Sequence, residues 1–119
     1  MIMEEAKTFD REKFLKHVLN KADLAAEIMR IFFEDINSFT QSLVRAVETE
    51  DFSLLRKTAH RLKGSSLNVC AGKLSEMFLR LEGIGKNNSV EGAAELIGEI
   101  FGELENFRQE VRTSNIIDI

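Results

Sequence analysis

The 119-residue sequence contains no proline, no tryptophan and no tyrosine, and its single cysteine is Cys70. Because proline interrupts helices more strongly than any other residue, its absence leaves long helices possible along the whole chain. One cysteine cannot form an intramolecular disulfide, which fits a reducing cytoplasm. No apolar run approaches the roughly 20 residues that span a bilayer, and the N-terminal MIMEEAKTFD lacks the order of a signal peptide. We therefore expect a cytoplasmic protein with no membrane partner.

Positive charge is in deficit, since 16 lysines and arginines against 20 aspartates and glutamates give a net charge of −4. A nucleic-acid-binding protein usually presents a basic face, so nucleic acid is not expected as a partner. The chain is long enough to bury a core without a disulfide or a structural metal. We expect one domain over residues 1–119, with its core between about residues 9 and 112 and no assignment for residues 113–119. A monomer is expected, because such a core closes without a second copy.

Apolar residues recur at three- and four-residue intervals along most of the chain, which is the period of amphipathic helices. A short first helix is predicted from Asp10 to Leu19, and a long second helix is predicted to end at Val47. The small and polar residues GIGKNNS, at positions 83–89, are typical of a turn. Capping side chains are expected at the helix starts, namely Asp10, Asn20, Asp51 and Ser89.

These helices predict an all-α fold: an antiparallel up-down four-helix bundle with a short leading N-terminal helix. A mixed α+β fold is the alternative, with short stretches such as residues 115–119 as candidate strands. Leu24 and Ile31 are expected in the buried stripe of the second helix, and Phe101 in that of the last helix. Met29 and Phe33 fall beside the stripe of the second helix and are expected on an exposed docking surface. The last helix is expected to turn four glutamates to water, which are Glu91, Glu95, Glu99 and Glu103.

The segment TAHRLKGSSLNVC, residues 58–70, carries a histidine and a glycine inside a predicted helix. Glycine in a helix interior costs roughly 1 kcal/mol relative to alanine, so Gly64 indicates a local need for space. Successive helical residues rotate by about 100°, which places four residues within about 60° of His60. His60 is therefore expected on the exposed face, turned away from the buried stripe. The four neighbours on its face are Arg56, Lys63, Gly64 and Leu67.

An exposed imidazole, a nearby ammonium and a cleared approach suit the acceptance and release of a phosphoryl group. Neutral imidazole is a nucleophile that splits one transfer into two easier steps. The charge of Lys63 would offset the phosphoryl oxygens, while Leu67 and Arg56 offer a surface for docking. The opposing interpretation is an ordinary surface histidine on a solvated basic face.

The stretch AHRLKGSSLNV resembles the signature of histidine-containing phosphotransfer domains, in which A-H-x-L-K-G is followed by two small residues. The similarity covers nearly the whole chain, from FDREKFL through the ETEDFSLL turn to LSEMFLRLE. It implies a four-helix bundle whose exposed histidine is phosphorylated in a two-component phosphorelay. By motif position, His60 is the phosphorylated nucleophile, Lys63 the lysine near the phosphate and Gly64 the small residue that admits the partner.

Members of this family often carry glutamine or glutamate at the position of Glu82, on the neighbouring helix. The resemblance therefore implies that Glu82 orients the His60 ring, whereas a plain surface acid near a helix end is the alternative. Cys70 departs from the family, which usually has glycine there, and we expect a buried or half-buried thiol that is not a nucleophile. Lys86 falls in the predicted turn and is expected to be solvated. His17 is expected to be a surface residue rather than a ligand.

The resemblance implies response-regulator receiver domains as partners, with a hybrid sensor kinase as a further candidate. Mg²⁺ would come with the receiver, so no cofactor is expected on this chain. Two isolated histidines and one cysteine do not make a zinc site. The sequence has no glycine-rich phosphate loop and no ATP-binding signature, so we expect a phosphocarrier without kinase activity of its own.

Two other functions stay open at this point. One is a helical interaction module that takes no part in phosphotransfer. The other is the phosphorylated domain of a chemotaxis-type kinase, although such domains often carry a second histidine after the motif and none lies between residues 74 and 81. Whether the chain is free-standing or part of a larger hybrid kinase is also open.

Overall fold

The computed structural model describes residues 5–117, which form five helices and no strand. The all-α prediction is confirmed, and residues 115–117 of the candidate strand are not extended, while 118–119 lie outside the described part. No helix in this part combines the length and the hydropathy that a membrane crossing requires. The helices are α1 (Arg11–His17), α2 (Ala22–Glu48), α3 (Phe52–Asn68), α4 (Gly72–Lys86) and α5 (Ala93–Thr113).

Two of the four predicted caps are confirmed. Asp10 accepts a hydrogen bond from the Lys13 amide at 3.1 Å and Asp51 accepts one from the Leu54 amide at 3.0 Å. Asn20 is not a cap: its φ of 56° places it in the left-handed region, within the turn before α2. Ser89 is not a cap of the last helix either, because its hydroxyl accepts from the Glu91 amide in a separate turn. The helix α5 begins only at Ala93.

The buried stripe of α2 is rotated from the predicted one. Met29 and Phe33 are buried rather than exposed, whereas Leu24 and Ile31 are exposed rather than buried. The reason is that α2 packs against both α3 and α5, and the ring of Phe33 belongs to an aromatic cluster. The ring of Phe33 lies 5.8 Å from that of Phe107, which belongs to α5. The cluster consists of Phe9, Phe14, Phe32, Phe33 and Phe107.

The helix α5 also differs from its prediction at two positions. Phe101 is exposed, and Glu103 is buried instead of facing water. The side-chain Nδ2 of Asn106 donates to Oε1 of Glu103 at 3.1 Å, while Oε2 of Glu103 has no hydrogen-bond partner among residues 5–117. The inward arc of α5 therefore includes Glu103 and leaves Phe101 outside, because α5 is held by α4 and α2 together.

The predicted turn at residues 83–89 is wrong in its first half, since α4 continues to Lys86. A helix tolerates Gly85 here because α3 lies directly against it. A Cβ atom at position 85 would lie 2.9 Å from the backbone nitrogen of Arg56 and 3.0 Å from the carbonyl oxygen of Phe52. Only glycine allows two helix backbones to approach so closely without displacement. The composition of this segment predicted a turn, whereas the packing of α4 against α3 requires a helix that has no side chain at position 85.

We expect Gly85→Ala to lower the free energy of unfolding by about 1–3 kcal/mol, the usual cost of inserting a methyl group into a packed interface. Gly83→Ala is the matched control, because Gly83 lies in the same helix and a Cβ there meets nothing within 4 Å. This control should be as stable as the wild type or more stable by about 0.5–1 kcal/mol, since alanine favours helix. Urea unfolding followed by circular dichroism measures both. Equal stability of the two variants would contradict a tight α3–α4 contact.

The turn between α3 and α4 is held from two sides. Cys70 has a φ of 57°, in the left-handed region, and its buried side chain packs into the core. This backbone explains why a glycine suits the position, because only glycine adopts that region without a steric cost. The amide of Asp10 donates to the Cys70 carbonyl at 3.0 Å and the amide of Lys73 donates to the Lys7 carbonyl at 2.9 Å. The N-terminal segment thus fixes the turn that brings α4 back along α3.

Candidate functional site

The helix α3 presents the imidazole of His60 to solvent. Its side chain is 66% exposed, while Ala59 and Leu62 on the other side of the helix are buried. The exposure predicted from helical geometry is therefore confirmed. Arg56 and Leu67 are exposed one and two turns away on the same face.

The adjacent helix α4 brings Glu82 against this imidazole. Oε2 of Glu82 lies 2.9 Å from Nδ1 of His60, and Nζ of Lys63 donates to Oε1 at 3.1 Å. The Glu82 side chain is only 6% exposed, so the alternative of a plain surface acid is wrong. The structure joins three predicted site residues, two from α3 and one from α4, in a single hydrogen-bonded group.

This contact determines which ring nitrogen is free. An ionised carboxylate can only accept hydrogen bonds, so Nδ1 of His60 must carry the proton that it donates to Glu82. In the neutral ring the lone pair then lies on Nε2. Because Nδ1 faces the buried carboxylate and the ring is exposed, Nε2 is the nitrogen that another molecule can reach.

A second ammonium group reaches the same carboxylate. Nζ of Lys86 lies 3.8 Å from Oε2 of Glu82. This contact was not predicted, because the composition around Lys86 is typical of a turn, whereas the continuation of α4 places Lys86 one helical turn after Glu82. The signal was present in the four-residue spacing between a glutamate and a lysine, which favours an ion pair on a helix.

The carboxyl group of Glu82 is charged in spite of its burial. Loss of solvent acts to raise its pKa, but hydrogen bonds from Lys63 and His60, together with their charges, outweigh this and hold the pKa below its ordinary value. The folded protein therefore binds a proton at Glu82 less readily than the unfolded chain does. Ionised Glu82 contributes stability that is present above the pKa of the unfolded chain and is lost as the pH falls through the lower folded value.

We expect the difference in stability between the wild type and Glu82→Gln to depend on pH in this direction. The wild type should lose its advantage over the variant as the pH falls from about 5, just above the ordinary pKa of glutamate, toward the lower pKa of Glu82 in the folded protein. Urea unfolding at several pH values measures the two free energies. All other carboxylates are common to both proteins, so their titration cancels in the difference. An advantage that stayed constant or grew toward pH 3 would contradict the lowered pKa.

Gly64 leaves open space beside the imidazole. It lies within α3, and a Cβ at this position would meet none of residues 5–117 within 4 Å. Internal packing therefore gives no reason for a glycine here, in contrast to Gly85. The space next to His60 faces outward, which is consistent with a need for clearance toward another molecule.

Cys70 and His17 form a separate contact away from this site. Sγ of Cys70 lies 3.8 Å from Nδ1 of His17. Burial raises the pKa of the Cys70 thiol, with a smaller opposing effect of Lys13. The predicted buried thiol is therefore confirmed, and the raised pKa disfavours the thiolate that a nucleophile needs. His17 is exposed, as predicted. Within residues 5–117 no group of three or more histidine, cysteine or acidic side chains is arranged to hold a metal ion.

Comparisons with known proteins identify the family of this chain. The model of the Hpt domain family matches residues 27–113, well over half of the chain and the whole of the site. Histidine-containing phosphotransfer protein 2 of Arabidopsis thaliana is 27% identical over 81 residues, which are 66% of this chain and 52% of that protein. The match thus spans about half the length of this curated relative. No solved structure matches the chain significantly. Because the family model covers both helices that build the site, the chain belongs to the Hpt domain family, whose members act in histidine phosphotransfer.

Proposed function

We propose that this protein carries phosphoryl groups between receiver domains of a phosphorelay. His60 accepts the group from the aspartyl phosphate of one receiver and passes it to the aspartate of another. The observation that carries the proposal is the 2.9 Å contact between the exposed His60 and the buried Glu82. Burying a carboxylate costs free energy, and a surface histidine without a function gives no reason to bear that cost. Membership of the Hpt domain family supports the same role.

The transfer balances without a general base. The lone pair on Nε2 of His60 attacks the phosphorus atom, a P–N bond forms, and the P–O bond to the receiver's aspartate breaks so that the aspartate leaves as a carboxylate. The ring keeps its Nδ1 proton and takes up a positive charge, which the Glu82 carboxylate stabilises. Transfer to the second receiver reverses these steps. Glu82 thus orients the ring and stabilises its charge in both directions.

Lys63 has two tasks in this proposal. Its hydrogen bond to Oε1 of Glu82 keeps that buried carboxylate ionised, and its ammonium offsets negative charge on the phosphoryl group. Nζ of Lys63 lies 3.1 Å from Oε1 of Glu82, and the lysine side chain is only 24% exposed. Lys63 therefore acts as a fixed charge close to the imidazole ring.

The docking surface for receivers surrounds His60 on α3. Gly64 gives clearance, Leu67 offers an exposed apolar contact and Arg56 adds a cation on the same face.

The four long helices, α2 to α5, are proposed to form one antiparallel up-down bundle. Two contacts support this arrangement for α3 and α4: Gly85 lies against Arg56 and Glu82 against Lys63, as expected for helices that run in opposite directions.

The chain itself is proposed to have no kinase activity and to need no cofactor, with Mg²⁺ supplied on the receiver. We further propose that it works in the cytoplasm as a monomer. A hybrid sensor kinase whose own receiver is phosphorylated would be one source of phosphate. The Arabidopsis relative is named a histidine-containing phosphotransfer protein, which supports a carrier rather than a kinase.

The direct test is transfer from receivers. Purified receiver domains from the same organism are phosphorylated with labelled acetyl phosphate, freed of the donor and mixed with this protein. We expect the label to appear on this protein within minutes from at least one receiver, in an acid-labile and base-stable form typical of phosphohistidine. Absence of label from every receiver, with binding retained, would favour the alternative function of an interaction module without phosphotransfer.

A further inference from the structure

The groups around Glu82 carry more positive charge than its single carboxylate neutralises. Lys63 donates to its Oε1 at 3.1 Å, while His60 and Lys86 approach its Oε2 at 2.9 Å and 3.8 Å. Two ammonium groups therefore converge on a single carboxylate beside the imidazole. Among residues 5–117, Glu82 is the only carboxylate paired with these two ammonium groups, so the local excess of positive charge favours the approach of a further anion.

The two lysines are held differently. Lys63 is hydrogen-bonded and only 24% exposed, whereas Lys86 lies beyond hydrogen-bond distance and is 58% exposed. Lys86 also lines an open depression of about 290 Å³ next to Gly85 and Arg56. A long side chain that is loosely paired and borders open space can move at little cost, because an exposed ion pair contributes at most about 1 kcal/mol.

We propose that Lys86 is a second cationic ligand of the phosphoryl group on His60, an inference that rests on the proposed phosphotransfer function. In the unphosphorylated protein Lys86 is paired with Oε2 of Glu82. When phosphorylation of Nε2 leaves the ring positively charged, the ring itself pairs with that oxygen. Lys86 is then free to turn to the phosphoryl oxygens, while Lys63 remains on Oε1 and keeps Glu82 ionised. Lys86 thus exchanges the Glu82 carboxylate for the phosphoryl group when His60 becomes phosphorylated.

A small phosphate donor tests this role without the contribution of receiver docking. Phosphoramidate transfers its phosphoryl group to imidazole: the P–Nε2 bond forms, the P–N bond of the donor breaks, and ammonia leaves. The appearance of phosphohistidine is followed by ³¹P NMR in the wild type, Lys86→Ala, Lys86→Arg and Lys73→Ala. Lys73 is the matched control, because it is an exposed lysine of the same helix at about 180° from Glu82. Thermal unfolding of each variant shows whether the fold is retained.

We expect Lys86→Ala to slow phosphorylation about threefold to tenfold, as for one partly exposed charge in a screened environment. Lys86→Arg should recover most of the rate, and Lys73→Ala should match the wild type. The deficit of Lys86→Ala should shrink in high salt, a response that a purely structural role would not give. A wild type that takes label at the same rate as Lys86→Ala would overturn the role of Lys86 alone. A wild type that takes no label from phosphoramidate or from any receiver would overturn the proposed function and this role with it.

Discussion

His60→Gln is expected to retain the fold and to accept no phosphoryl group from any receiver. The side chain is 66% exposed, so its replacement leaves the core unchanged. Glutamine keeps a hydrogen-bond donor for Glu82 but has no nucleophilic nitrogen, because its amide lone pair is delocalised. Labelling should therefore fall to background, a loss of at least about a hundredfold, as is usual when a nucleophile is removed.

The control for this variant is His17→Gln, which changes the only other histidine of the chain. His17 is exposed on α1 and contacts the thiol of Cys70 rather than the site. The His17→Gln variant should accept label at the rate of the wild type. Labelling of His60→Gln at the rate of the wild type would remove His60 from the mechanism. Label that disappeared only in His17→Gln would move the phosphorylated residue to α1.

Gly64→Gln is expected to separate stability from function. A Cβ atom at position 64 would meet none of the described residues within 4 Å, and glutamine favours helix over glycine by roughly 0.5–1 kcal/mol. The melting temperature should therefore stay equal or rise by a few degrees. Transfer from a receiver should fall by at least about a hundredfold, since the new side chain stands beside His60 where the partner must approach, and small misplacements of reacting atoms have effects of this size.

Gly98→Gln serves as its control. Gly98 is also a helical glycine with open space around its position, but it lies on α5. The same substitution there should give a similar gain in stability and leave the transfer rate unchanged. Phosphorylation by phosphoramidate adds a second comparison, because a small donor needs less clearance than a receiver and should be affected less at position 64. A lower melting temperature with undiminished transfer would show that Gly64 is a packing residue.

The two glycines near the site differ in whether their position could be explained from the sequence. Gly64 and Gly85 both lie inside helices, and the sequence offered the same signal for each, a residue that weakens a helix. For Gly64, the neighbouring motif residues predicted a role in clearance beside a histidine. Gly85 was assigned to a turn instead. A glycine is needed there because a Cβ atom at position 85 would lie 2.9 Å from the backbone of α3. No local pattern indicates a contact between residues about 30 positions apart. The extension of α4 to Lys86 was missed for the same reason.

Helical periodicity predicted the exposed face of α3 but not the whole buried face of α2. Along α3 the three- and four-residue period placed His60 outside and Leu62 inside, and both are confirmed. Along α2 the period was recognised, but the buried arc is rotated from the predicted one, since Met29 and Phe33 are buried and Ile31 is exposed. An amphipathic pattern gives the width of an apolar arc, whereas the position of that arc depends on two partner helices whose own rotation is not encoded locally.

By itself, the sequence determined that this protein is helical, that Asp10 and Asp51 begin two of its helices, and that His60 stands on a wet face. These are local properties, set by the absence of proline, by capping side chains and by helical periodicity. The tertiary structure alone decided that Glu82 is buried yet ionised and that two lysines and an imidazole converge on it. The physical reason is that desolvation and ion pairing depend on which helices lie side by side, and α3 meets α4 at this point only because Gly85 lets their backbones touch.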